Sequence, residues 1–272
     1  MRQATRIVSL AALAALTLLP AGAASAQEWA KQRADKSPRH QEWADVKSGN
    51  RTVHSFVVYP EVKGKATAVI VIHEIMGASD WAREFADELA EAGYIAIMPD
   101  LLSGTGAGGG GTSSYADRSA VGEAIGKLPA EQITADLNAV ADYVTKLPAA
   151  SGKLAVVGFC WGGGQSFRFA TNRKKLDAAM VFYGVGADPA TMSTIAAPVY
   201  GFYGGNDARI GATLADTTAA MKAAGKKYEP VTYEGAGHGF MRAGEDPGDT
   251  VPGNKTARTE AWTRLKAILG KL

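Results

Sequence analysis

The only cysteine of this 272-residue chain, Cys160, stands in the run Gly158-Phe159-Cys160-Trp161-Gly162-Gly163-Gly164, directly after the apolar stretch 154–157. A Gly-x-Cys-x-Gly frame at the end of a strand is a nucleophile elbow with sulfur in place of oxygen. The strand stops, the reactive group sits on a strained turn, and a helix begins, so small neighbours must relieve the crowding. Gly158 and Gly162 supply that room. The N–H of Trp161, next to the thiol at the helix start, is then set to donate to a developing oxyanion. A lone cysteine is ordinarily a buried structural residue; the glycine frame argues for a nucleophile here.

A thiol nucleophile needs a base, and the chain has four histidines, His40, His54, His73 and His238. His238 lies in Gly235-Ala236-Gly237-His238-Gly239-Phe240, where glycines on both sides let it reach across strand ends. His73 closes a strand and suits either a structural hydrogen bond or a place in the site. The third group is a carboxylate that holds the imidazole in the right tautomer. Asp207, in Gly204-Gly205-Asn206-Asp207 after the apolar run 199–203, fits, although alone it would read as a turn aspartate. The order Cys160, Asp207, His238 is the nucleophile, acid, base order of the α/β-hydrolase fold.

The elements that must position these residues follow from the pattern of the chain. Short β-branched runs at 52–59, 66–72, 94–98, 154–158, 178–183, 199–203 and 229–233 read as strands. Amphipathic segments at 81–92, 131–146, 163–171, 212–224 and 255–269 read as helices. This alternation predicts an α/β fold, a mostly parallel central sheet flanked by helices on both faces. Residues 51–272 form that domain, with 27–50 as an N-terminal arm on its surface. Gln-Glu-Trp-Ala occurs at both 27–30 and 41–44, too short a unit to establish a repeat. The glycine- and serine-rich segment 104–114 reads as a mobile loop suited to a lid. It contains a Gly-x-Gly-x-x-Gly spacing, yet six glycines within 104–111 generate that spacing by chance and no strand-to-helix turn surrounds it.

Residues 1–26 combine Arg2 and Arg6, an apolar run at 7–19 and a small-residue end, Ala24-Ser25-Ala26, which reads as a secretory signal cleaved near Ala26. The expectation is therefore a soluble periplasmic or secreted protein beginning near Gln27, without a membrane anchor. Removing Arg2 and Arg6 leaves 27 basic against 27 acidic residues. A balanced charge without basic clusters argues against nucleic acid as a partner. A single cysteine allows no internal disulfide, so the hydrophobic core must hold the fold.

Through Gly158-Phe159-Cys160-Trp161-Gly162-Gly163, Gly205-Asn206-Asp207, Gly237-His238-Gly239-Phe240 and His73-Glu74-Ile75-Met76-Gly77, the chain resembles the dienelactone hydrolase family from about Val53 to its end. The resemblance implies hydrolysis of esters or lactones by a Cys160, His238 and Asp207 triad, with no metal and no organic cofactor; the sequence does not give the oligomeric state, for which a monomer is the expectation. It assigns Glu74 as a carboxylate near the thiol that influences it and takes its proton when substrate arrives. It also implies the Ile75 N–H as second oxyanion donor, Arg242 as a ligand for a substrate carboxylate, and Arg118 as a second such arginine. Two other readings stand beside it. One is a broad esterase on activated or phenolic esters. The other is a non-enzymatic binding or redox-sensing protein, for which no resolving cysteine exists.

Overall fold

The computed structural model describes residues 27–272, so the leader read at 1–26 lies outside the described residues. In chain order the main elements are α1 (Glu28–Asp35), β1 (Gln41–Ser48), β2 (Arg51–Val58), β3 (Ala66–Ile72), α2 (Asp80–Glu91), β4 (Ile95–Pro99), α3 (Arg118–Gly126), α4 (Ala130–Val144), β5 (Ala150–Phe159), α5 (Trp161–Asn172), β6 (Ala178–Phe182), α6 (Pro189–Met192), β7 (Val199–Gly204), α7 (Ala208–Gly211), α8 (Leu214–Ala223), β8 (Tyr228–Tyr233), α9 (Phe240–Ala243) and α10 (Pro252–Leu269). One sheet runs β1-β2-β4-β3-β5-β6-β7-β8. β1 and β2 pair antiparallel, β2 pairs antiparallel with β4, and the remaining pairs are parallel. This is the α/β-hydrolase arrangement expected from the alternation of apolar runs.

Strands buried on both faces carry apolar side chains at every position. In β3, Ala68, Ile70 and Ile72 face one core with α4, α5 and α8, while Val69 and Val71 face the other with α2 and α10. β5 repeats the pattern, with Leu154 and Val156 on the first face and Ala155, Val157 and Phe159 on the second. Beneath the nucleophile the second core is aromatic. Phe85 meets Phe159 edge-on at 4.7 Å between ring centres, and Phe182 stacks on Phe202 at 4.1 Å. Truncating a fully buried ring such as Phe159 to alanine would cost about 3–5 kcal/mol.

Two segments differ from the sequence expectation. The segment read as a surface arm supplies α1 and the edge strand β1, which pairs with β2 from Gln41 opposite Val58 to Ser48 opposite Arg51. The first Gln-Glu-Trp-Ala copy thus lies at a helix start and the second in a strand. The glycine-rich segment makes two short 3-10 turns, Ala107–Gly109 and Thr112–Ser114. It is tethered at Thr112, whose N–H and hydroxyl donate to Asp100 at 2.7 and 2.8 Å while the hydroxyl oxygen accepts from Ala78 N–H at 3.0 Å. Among the described residues no helix is long and apolar enough to cross a membrane.

Candidate active site

Cys160, Asp207 and His238 each follow a strand of the parallel region, and Cys160 lines a cavity at the C-terminal ends of those strands. Cys160 has φ 55° and ψ −116°, a backbone region that a non-glycine residue occupies only under strain of about 1–3 kcal/mol. The surrounding packing enforces it. Cys160 N–H donates to Phe182 O at 3.0 Å. A Cβ at Gly158 would stand 1.9 Å from Gly162 O, and one at Gly162 would stand 2.3 Å from His73 O. The glycine frame is therefore a steric requirement of the turn, as the sequence implies.

His238 Nδ1 lies 2.5 Å from Asp207 Oδ2. Asp207 is 6% exposed, and its other oxygen accepts from Ile210 N–H at 3.3 Å at the start of α7. The two loops are joined by Asn206 N–H donating to Ala236 O at 2.8 Å. Asn254, at the start of α10, accepts from Gly237 N–H at 2.8 Å and steadies the histidine loop from the other side. Because Asp207 accepts at Nδ1, the Nε2 atom is left for the thiol. His238 is more basic than an ordinary imidazole: hydrogen bonding with Cys160 is the main cause, partial burial opposes it, and Asp207 adds to it. Of the other histidines, His54 pairs with Asp45 at 2.6 Å and His40 lies near Glu42 at 3.6 Å, both on the exposed β1–β2 edge.

Glu74 is buried at the end of β3. Its Oε2 accepts from Arg242 Nε at 2.9 Å and its Oε1 accepts from the Tyr183 hydroxyl at 3.5 Å. The arginine that the resemblance assigns to substrate is thus engaged through Nε by Glu74; its two terminal nitrogens make no hydrogen bond among the described residues. Arg118 stands exposed at the first position of α3 and does not line the cavity. The N–H groups of Ile75 and Trp161 have no acceptor among the described residues, and both residues line the cavity with Cys160.

That cavity holds about 500 Å³ and is walled by Ile75, Trp161, Tyr183, Val185 and Ile210, with Arg168 and Arg209 at its margins. Sequence reasoning missed Tyr183. It is fully buried, has φ 40°, and meets the His238 ring edge-on at 5.1 Å. Its signal was present as a bulky residue before Gly184 at the end of a buried strand. Arg168 and Arg209 were also missed, and the register of Arg168 on the helix after Cys160 was the available clue. The candidate cluster of metal-ligating groups among the described residues lies elsewhere: Glu84, Glu88 and Glu245 approach within 4.8 Å of one another. Arg33 and Arg258 already bind these carboxylates.

Comparison with known proteins agrees with this fold. The model of the dienelactone hydrolase family matches residues 53–272. A Salmonella typhimurium protein provisionally named carboxymethylenebutenolidase is 33% identical over 215 residues, covering 74% of this chain and 76% of the relative. A Saccharolobus solfataricus protein of the same provisional name is 30% identical over 257 residues, covering 83% and 96%. The crystal structure of a Klebsiella pneumoniae protein provisionally described as a dienelactone hydrolase superposes with a TM-score of 0.76 at 26% identity, covering 86% of this chain and 99% of that one.

Proposed function

The chain belongs to the dienelactone hydrolase family, hydrolases of lactones and esters, and from that premise we propose that it cleaves its substrate through an acyl-thioester on Cys160. One observation carries the reading: the thiol sits on a strained turn beside a His238–Asp207 pair at 2.5 Å, in a cavity edged by two unpaired N–H donors. His238 Nε2 takes the thiol proton as sulfur attacks the substrate carbonyl carbon. The Ile75 and Trp161 N–H groups hold the oxyanion, each worth about 10² to 10³ in rate. The C–O bond then breaks and His238 returns the proton to the leaving oxygen; water attacks the thioester with His238 again as base, the C–S bond breaks, and His238 returns that proton to the Cys160 sulfur. Asp207 keeps the ring oriented and stabilises the imidazolium.

Glu74 and Arg242 form the charged flank of this site. A substrate carboxylate arriving at the terminal nitrogens of Arg242 would compete for the guanidinium and release Glu74 toward the thiol. The largely apolar wall favours enol or phenol esters and lactones, whose leaving groups a thioester mechanism expels readily. The leader-like 1–26 segment supports export, with the mature protein in the periplasm or outside the cell. N-terminal sequencing of protein from the periplasmic fraction should begin at or near Gln27; recovery in the cytosol with Met1 intact would remove that part of the reading.

The decisive measurement is intact mass after brief exposure to p-nitrophenyl acetate and to a dienelactone, with turnover followed for wild type and Cys160→Ala. An acyl adduct and turnover that both vanish in the variant are expected. The better substrate of the two separates a lactonase from a broad esterase. Turnover surviving in Cys160→Ala would exclude the cysteine route.

A further inference from the structure

His73, whose role the sequence left open, is fully buried between the cavity wall and the strand ends. Its Nδ1 lies 2.8 Å from Glu74 O, and its Nε2 lies 3.4 Å from Leu101 N. A backbone N–H can only donate, so Nε2 carries the lone pair and Nδ1 carries the hydrogen that Glu74 O accepts. Burial lowers the proton affinity of the ring despite the charge of Asp100, consistent with this neutral tautomer. With both nitrogens engaged and no exposure, the ring has no free atom for proton transfer to substrate.

The carbonyl it holds belongs to the same planar peptide as the Ile75 N–H. In a trans peptide the two groups point in opposite directions, so fixing Glu74 O fixes the line along which Ile75 N–H points. Gly77 N–H also donates to that oxygen at 3.1 Å, closing the turn from one side; His73 occupies the remaining acceptor site. The face of the same ring stacks on the Trp161 indole, 5.6 Å between centres and 15° between planes. One buried ring therefore holds the peptide that carries the Ile75 N–H and stacks on Trp161, whose N–H also borders Cys160.

We propose that His73 is a positioning residue that registers the Ile75 and Trp161 N–H donors against each other for oxyanion binding. The inference rests on the cysteine-hydrolase reading above. Two variants isolate the donor. His73→Asn keeps an N–H near the Nδ1 position, and His73→Gln keeps an acceptor for Leu101 but withdraws the donor from Glu74 O. Each is compared with wild type in two reactions of Cys160. Acylation by p-nitrophenyl acetate passes through an oxyanion; alkylation by iodoacetamide does not.

In His73→Gln, acylation and kcat should fall about 10²-fold while KM stays within about twofold, the split expected of an interaction made only in the transition state. Alkylation and the acid limb of the pH profile should match wild type, and His73→Asn should recover most of the lost rate. Equal losses in acylation and alkylation, or a moved acid limb, would overturn the assignment, as would a His73→Gln rate equal to wild type. A wild type that is alkylated yet never acylated would overturn the hydrolase reading, and this inference with it.

Discussion

Two of the groupings of carboxylates and arginines among the described residues are matched differently. At the active site Glu74 faces Arg242, one acid to one base, beside an open cavity. Where α1 crosses α2 and α10, three acids, Glu84, Glu88 and Glu245, share Arg33 and Arg258. Two guanidiniums cannot neutralise three carboxylates, one buried and two half-buried. Burial, followed by the charges of Glu88 and Glu245, pushes Glu84 up to about 9, and one of its oxygens finds no hydrogen-bond partner. Glu88 rises to about 7 through burial and Glu245. A matched pair beside a cavity keeps its charge available to a substrate; an unmatched cluster under a helix stores protons and docks the N-terminal segment. Desolvation is common to both, and stoichiometry and access decide what it does.

Substitutions should separate the two clusters. The largest effect belongs to the nucleophile: Cys160→Ala should lower kcat by at least about 10³-fold in an ester assay without changing Tm downward. Asp207→Asn should lower kcat by about 10² to 10⁴-fold. Since Asp207 helps raise the His238 pKa, the same variant should move the acid limb of the pH profile to lower pH. In wild type that limb should lie above the ordinary imidazole value, because His238 must be neutral to take the thiol proton; a limb below it would contradict the pairing. Glu74→Gln breaks the matched pair and should change the pH dependence of Cys160 alkylation, with a kcat loss of about tenfold or more. An unchanged rate and alkylation profile would remove Glu74 from the mechanism.

Glu84→Gln should leave ester turnover untouched and act on stability alone. Both raised carboxyls bind protons more tightly folded than unfolded, so the contribution of these two groups to folding stability is greatest at acid pH. It declines as pH rises from about 4.5 through about 7 and about 9. The variant should flatten that decline and raise Tm by about 2–4 °C at alkaline pH, read by calorimetry. A lowered Tm at every pH would show that the carboxylate is worth more as a partner of Arg33 than it costs in burial.

The parallel strands and the placement of Cys160, Asp207 and His238 after strands were legible because their signals are local. Runs such as 66–72 are apolar on both faces, and Cys160, Asp207 and His238 each sit in a glycine context that only a strained or crowded loop explains. β1 was illegible for the opposite reason. Gln41-Glu42-Trp43-Ala44 repeats the residues of 27–30, and only pairing with β2 makes the second copy a strand while packing on α2 makes the first a helix start. Tertiary context overrides propensity where one tetrapeptide serves both states. The engagement of Arg242 by Glu74 joins residues 168 positions apart, and no spacing rule reports such a pair. Arg118 lies at the exposed start of α3, outside the cavity, and no local spacing reports where that helix starts.

The backbone of Cys160 carries a consequence for the history of this protein. At φ 55° glycine would rest there without strain, so Cys160→Gly would relieve about 1–3 kcal/mol and abolish turnover in one step. A lineage released from the need to hydrolyse its substrate would find that exchange among its easiest gains in stability. With Cys160 as the proposed nucleophile, the strained backbone is stability given up for reactivity.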